Sequence, residues 1–289
     1  MAGAGCQGIC RYPDKQRLLW LTMRPIAPWL RWLSYGIYGF LYLPIALIVI
    51  YSFNRSRFGV RWTGFTFDWY LRLFQNPTTL TATLNTITLA VVSTAISTVL
   101  GSLLGYGLYR YRFPGKQVLQ LLMYLPVIIP DIVMAVGLLL FYKFVRLYTG
   151  LFELGMTTMI LAHVTFQIAF VAIVVRSRLL ALDPALEEAA RDLYADSWAT
   201  LRHVVLPLAL PGIVAGALLA FTLSIDDFVI SFFTSGPESV TLPILIYSSV
   251  RRGVTPEINA LSTLIILVTV VAIVAANAIA GARRSTKGF

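Results

Sequence analysis

Glu187-Glu-Ala-Ala-Arg-Asp-Leu-Tyr-Ala-Asp-Ser-Trp-Ala-Thr-Leu-Arg-His-Val-Val-Leu-Pro207 is the stretch on which the reading of this chain turns. It separates two very apolar runs, residues 156–180 and 208–233. Glu187, Glu188, Arg191, Asp192, Asp196 and Arg202 keep it out of hydrocarbon, where each charge would cost about 2.5–3.5 kcal/mol at the bilayer centre. Leu193, Trp198 and Leu201 nevertheless fall at helical spacing and form an apolar stripe. A short amphipathic helix between two membrane spans needs a cover for that stripe. Lipid headgroups or the rest of the chain could supply it, and so could a docked soluble partner. Pattern alone leaves these open.

Working outward, composition fixes the class. Of 289 residues, 58% are hydrophobic and 12% charged, with mean hydropathy +0.78, whereas a soluble chain carries about 25% charged residues. Several apolar runs exceed the roughly 20 residues that cross a bilayer as a helix. The expectation is an all-α polytopic membrane protein with six transmembrane helices, near 33–53, 81–109, 117–145, 157–175, 204–233 and 258–280. A basic tail, 1–32, precedes this 33–281 unit; the polar loop spans 183–207, and a second basic tail spans 282–289. Cys6 and Cys10 both lie in the first tail, so no disulfide framework is implied.

Lys and Arg set the orientation. With the N-terminus inside, fifteen of the 23 Lys and Arg fall on the inner side and eight on the outer side. Both termini are therefore expected to be cytoplasmic, with the 183–207 loop on the same side. Four arginines in the first outer connection, Arg55, Arg57, Arg61 and Arg72, run against the trend. The net charge of +10 is then a topology signal and gives no ground for nucleic-acid binding.

Carboxylates inside spans require a reason. Asp131 lies about fourteen residues into the third span, roughly 21 Å deep at about 1.5 Å per residue, and follows Pro130, which removes a backbone donor. Asp226 and Asp227 lie near the outer end of the fifth. Neighbours on a helix diverge by about 100°, so they cannot both face one path. Thr222 shares a face with Asp226, and Ser224 with Asp227. These acids either bind hydroxyls and Arg of adjacent helices or line a cation path. Three acids without Lys or Arg at comparable depth favour the path. Tyr42, Tyr124 and Trp69 are candidate aromatic faces for a cation. His163 reads as a hydrogen-bonded structural residue, and with only His203 besides there is no metal cluster. The chain has no Gly-x4-Gly-Lys-Ser/Thr, His-Glu-x-x-His or Gly-x-Ser-x-Gly run, so catalysis within it is not expected.

Glu188-Ala-Ala190 followed by Val204-Val-Leu-Pro207 resembles the cytoplasmic EAA loop of ABC-importer permeases, whose form is Glu-Ala-Ala, three residues, Gly, nine residues, Ile-x-Leu-Pro. The family's Gly falls on Tyr194. A glycine there ends the first coupling helix in a left-handed conformation that costs a tyrosine about 1–2 kcal/mol, so an altered turn is expected. Further stretches resemble the PotC-type subunit of permeases for the polyamines spermidine and putrescine. They include Tyr51-Ser-Phe-Asn-Arg-Ser-Arg-Phe-Gly59, Pro130-Asp-Ile-Val-Met-Ala135, Ala162-His-Val-Thr-Phe166 and Phe221-Thr-Leu-Ser-Ile-Asp-Asp-Phe-Val-Ile-Ser231. Related permeases for ferric iron or thiamine share parts of this pattern. A self-sufficient channel or secondary transporter is the competing class, against which the 187–207 loop counts.

The resemblance implies a type I ABC-importer permease of MetI-like fold, with its core near 81–277, in the bacterial inner membrane. The implied partners are an ATP-binding-cassette ATPase dimer, a second permease of a different, PotB-type chain and an extracytoplasmic polyamine-binding protein. No cofactor is implied for this chain, since the ATPase would bind ATP and Mg. Glu187, Glu188, Ala189, Ala190, Asp192, Leu193, Leu206 and Pro207 would form the ATPase contact. Asp131, Ser224, Asp226, Asp227, Tyr42 and Trp69 would line the substrate path.

Overall fold

The computed structural model describes residues 28–56, 61–253 and 255–285. The expected tail 1–32 lies outside these residues up to position 27, as do the last four residues of the expected tail 282–289. The described residues are helical apart from turns and one isolated antiparallel bridge, Asn54 to Phe65. In chain order the helices are α1 (Pro28–Tyr51), α2 (Asp68–Gln75), α3 (Pro77–Arg110), α4 (Lys116–Ile128), α5 (Asp131–Thr149) and α6 (Met156–Leu180). Then come α7 (Ala185–Asp192), α8 (Ser197–Thr200), a π turn (Leu201–Val205), α9 (Leu206–Ile225), α10 (Val229–Thr234), α11 (Leu242–Arg252) and α12 (Pro256–Ser285). Among the described residues five helical stretches are long and apolar enough to cross a membrane: Trp29–Tyr51, Pro77–Arg110, Asp131–Thr149, Met156–Leu180 and Ser197–Ile225.

Two expected spans are broken. The continuous helix expected over 117–145 is two helices, because Ile129 is extended and Pro130 cannot donate to a preceding carbonyl. Asp131 consequently opens α5 instead of lying midway along one rod, and the depth inferred from an unbroken helix no longer applies to it. The run expected over 204–233 breaks after Ile225 and resumes as α10. Two short helices, α2 and α11, occupy connections read as outer loops.

The core is α6 packed between α3 and α9. A stripe along α3, Leu89, Ser93, Ser97, Gly101, Gly105 and Leu108, is buried at spacings of three and four. Contact is close because small residues let backbones approach, which is how membrane helices gain packing without a hydrophobic drive between them. A Cβ added at Gly101 would sit 2.7 Å from Val171 Cβ and 2.9 Å from Ile168 O; one at Gly105 would sit 2.8 Å from Ala172 O. On α9, Gly212 lies under the Arg178 stem in the same way. A second cluster joins α5, α6 and α10 through Ala135, Tyr142, Ala162, Phe166 and Ile230. A third sets Trp69 and Leu73 of α2 against Ala260 and Leu261 of α12.

Candidate functional site

Two places carry chemistry: the break between α9 and α10, and the loop from α7 to the π turn. At the break the two neighbouring carboxylates part company; both lie past the last residue of α9, so the non-helical backbone there, and not helix periodicity, separates them. Asp227 turns inward, with its side chain 10% exposed. Its Oδ1 accepts from Ile230 N–H at 3.3 Å and its Oδ2 from Ser231 N–H at 2.8 Å, satisfying donors that the first turn of α10 cannot pair itself. Asp226 stays exposed, and no Lys or Arg among the described residues pairs with it.

His163 of α6, fully buried, holds this break from behind. Its Nδ1 lies 2.8 Å from Ser224 Oγ at the end of α9; its Nε2 lies 3.1 Å from Ser231 Oγ and 3.3 Å from Asp227 Oδ2. A proton on Nε2 suits the carboxylate and leaves Nδ1 to accept from Ser224. Ser224 also meets Ser93 of α3 at 3.3 Å. One turn further along α6, Gln167 Nε2 donates to Ala220 O at 3.1 Å and its Oε1 accepts from Ser97 Oγ at 2.9 Å. A ladder of buried polar groups therefore ties the three core helices together, and His163 is its rung at the break. The sequence-based reading of His163 as a bonded structural residue agrees with this geometry. Ser93, Ser97, Gln167 and Ser231 were not singled out in the sequence; their only signal is the helical spacing of polar residues within apolar runs.

The other expected path residues lie apart from the break. Tyr42 is on α1 and 63% exposed. Asp131 is exposed at the start of α5, and its carboxylate has no hydrogen bond or ion pair among the described residues. Trp69 is 5% exposed and donates its indole N–H to Asn54 O at 2.8 Å, while the Arg72 guanidinium covers its ring. Beside the break instead stands an aromatic group that sequence reading passed over. The Tyr247 ring of α11 lies 4.4 Å from Phe228 and 6.4 Å from Phe232.

In the polar loop, Tyr194 has φ +59°, left-handed as the glycine it replaces would be. The expected alteration of the turn does not occur; the chain keeps the geometry and bears the strain of a Cβ there. Backbone bonds from Tyr194 N–H to Arg191 O (2.9 Å) and Ala195 N–H to Ala190 O (3.1 Å) close it. The second helix starts under Asp196, whose Oδ1 accepts from Ala199 N–H at 2.7 Å. Leu193, Tyr194 and Trp198 are 83%, 98% and 65% exposed, whereas Leu201, the third residue of the expected stripe, packs on the core, so the chain leaves the loop-tip end of the stripe uncovered.

Among the neighbouring residues, Glu188, Ala189, Asp192, Leu206 and Pro207 face outward, whereas Ala190 is buried. Glu187 faces inward and is clamped by Arg110 Nη1 at 2.9 Å, the Tyr109 hydroxyl at 3.0 Å and Arg191 Nη2 at 3.6 Å. The loop is thus fastened to the end of α3. It runs straight into α9 through the π turn, where Leu206 N–H bonds Leu201 O. Pro207 explains the turn: its ring would press on the carbonyl four residues back, and one extra residue per turn moves that carbonyl away. A cavity of about 470 Å³, lined by Ser102, Tyr106, Leu179, Trp198 and Val205, lies between this turn and the core.

A family model described as "Binding-protein-dependent transport system inner membrane component" matches residues 97–283. The chain is 43% identical over 253 residues to the spermidine/putrescine transport system permease protein PotC of Escherichia coli (strain K12), covering 88% of this chain and 93% of the relative. It is 42% identical over 231 residues to the putrescine transport system permease protein PotI of the same organism, covering 79% and 82%. In fold it is similar to a solved bacterial ABC transporter involved in the import of the acidic polysaccharide alginate, with TM-score 0.69 at 20% identity, covering 92% of this chain and 96% of that one. The chain belongs to the family of binding-protein-dependent transport system inner membrane components, and within it to the PotC-type permeases.

Proposed function

We propose that this chain is the non-catalytic permease subunit of an ATP-driven importer of polyamines, and that it forms half of the translocation pathway. The observation that carries the reading is the exposed Asp226 carboxylate at the α9–α10 break, set without a cationic partner on a scaffold shared with polyamine permeases. An ammonium group entering there would meet an uncompensated negative charge. Asp131, Ser224, Asp227 and Tyr42 complete the proposed path; Trp69 is left out of it, because its ring is buried against α12 and covered by Arg72. Of these, Ser224 and Asp227 act by shaping the break, through His163 and the α10 backbone.

The chain crosses the inner membrane six times in this reading, with α12 as the sixth span and both termini in the cytoplasm. The α7–α8 loop then stands inside, and its tip at Leu193, Tyr194 and Trp198 seats on an ATP-binding-cassette ATPase dimer. Glu187, Glu188, Ala189, Ala190, Asp192, Leu206 and Pro207 frame that contact. ATP and Mg belong to the ATPase, and this chain needs no cofactor of its own. The remaining partners are a second, PotB-type permease and an extracytoplasmic binding protein that delivers the polyamine. Closure of the ATPase dimer would draw the loop inward, and the π turn would pass that motion to α9 and the break at its far end.

Asp226→Asn in the assembled transporter tests the substrate assignment. It keeps the side-chain volume and removes the charge. Uptake of spermidine and putrescine should fall at least about tenfold, equivalent to 1.4 kcal/mol or more, with assembly unchanged. Wild-type uptake in the variant would end the assignment. Asp227→Asn is the less specific probe, because it also disturbs two backbone bonds and His163. Coupling is tested separately by a cross-linker at Ala189, which is exposed; failure to capture an ATPase would refute the docking role.

A further inference from the structure

Arg251 sits one helical turn beyond Tyr247 on α11, with its Cζ 5.2 Å from the centre of the Tyr247 ring. Among the described residues no carboxylate pairs with Arg251, so this cation's contact is an aromatic face. The Tyr247 ring is 39% exposed and tilted 36° against Phe228, which stands two residues from Asp226. Phe232 extends the aromatic surface, 5.3 Å from Phe228 and itself 49% exposed. Two anchors hold α11 in place. Leu242 N–H donates to Thr86 Oγ1 at 2.8 Å, and Asn85 Nδ2 holds the preceding carbonyls of Glu238 and Val240. The ring is therefore fixed relative to the core, while Arg251 is a long side chain free to move off it.

We infer that Tyr247, Phe228 and Phe232 form an aromatic cation subsite beside Asp226, and that Arg251 is its resident cation, displaced by an ammonium group of the substrate. The inference rests on the polyamine reading above and adds the specificity element. A substrate with ammonium groups separated by methylenes places one charge on Asp226, lays its apolar segment on Phe228 and puts another charge on Tyr247. A singly charged amine fills only one of these positions. Displacement rather than simple addition keeps the ring face from standing bare beside the break, and makes binding there an exchange of one cation for another.

The test measures uptake by the complete transporter, with radiolabelled spermidine and putrescine, in three variants. Tyr247→Leu keeps an apolar side chain but removes the π face; its KM should rise about two- to thirty-fold, the range that one cation–π contact supports. Tyr247→Phe retains the face and should stay within about twofold of wild type, because the ring carries the contact. Arg251→Gln removes the competing cation and should lower KM. Assembly and basal ATP hydrolysis should not change in any of them.

An unchanged KM in Tyr247→Leu overturns the inference. So does equal damage in Tyr247→Phe, which would assign the effect to the hydroxyl, and a raised KM in Arg251→Gln, which would make Arg251 a prop. If the assembled wild-type transporter moves no polyamine, the functional reading itself has failed. Polyamine uptake that is insensitive to Tyr247→Leu removes the subsite alone.

Discussion

His163→Phe is the most direct perturbation of the break. It keeps a ring of similar breadth next to Phe166, 5.4 Å away, and deletes contacts to Ser224, Ser231 and Asp227. Leaving buried polar groups unsatisfied costs about 1–3 kcal/mol each in soluble cores, which would total up to roughly 9 kcal/mol here. That figure is too large for this site. Asp227 keeps both backbone donors, and Ser224 keeps Ser93. Interhelical hydrogen bonds in membranes average about 0.6 kcal/mol, so three give about 2 kcal/mol. The assay is reversible unfolding of the purified chain in mixed micelles, run as a double-mutant cycle with Ser231→Ala. His163→Phe should lose about 2 kcal/mol, and the cycle should return a coupling near 0.6 kcal/mol. A coupling below about 0.3 kcal/mol would show that the observed geometry carries no energy.

Gly101→Ala places a methyl against Val171 and the Ile168 carbonyl at the α3–α6 contact. The backbones must part, costing about 1–3 kcal/mol, and the same unfolding measurement should register it; no loss would mean that the two helices are not in close contact. Tyr194→Gly removes a left-handed tyrosine at a cost in unfolded-chain entropy, leaving a net gain of up to about 1 kcal/mol in the isolated chain. The same variant strips the most exposed aromatic from the loop tip and should weaken ATPase capture by pull-down; tighter capture would contradict a docking role for the ring.

The helical class and most of the long spans were legible because apolar runs and their charged ends are one-dimensional signals. The breaks were not. Pro130 marked a kink, but whether a helix bends or stops there depends on what pairs with the freed carbonyls, which is a property of packing. The break after Ile225 carries no proline or glycine at all; it exists because Asp227, Ser231 and His163 offer a better set of bonds than continued helix would. The sequence placed Asp226 and Asp227 on one continuous helix, whereas both lie past its end, and which one turned inward depended on the position of His163 on another helix. Tyr194 illustrates the opposite lesson. Local propensity argued against the left-handed turn, yet the Asp196 cap and the Glu187 clamp fix the two helices on either side and leave the linker that one route. Trp69 looked available as an aromatic face and is instead used up in the α2–α12 contact.

The π turn at Leu201–Val205 has a geometrical corollary. One surplus residue advances everything after it by about 100° around the axis relative to an unbroken α-helix. The azimuth of Asp226, some twenty residues further along, is consequently set by whether that residue is present. The contacts that lock α9 to α6, Gly216 on Val171, Ala220 O with Gln167 and Ser224 with His163, meet only because the surplus residue has already turned those positions toward α6.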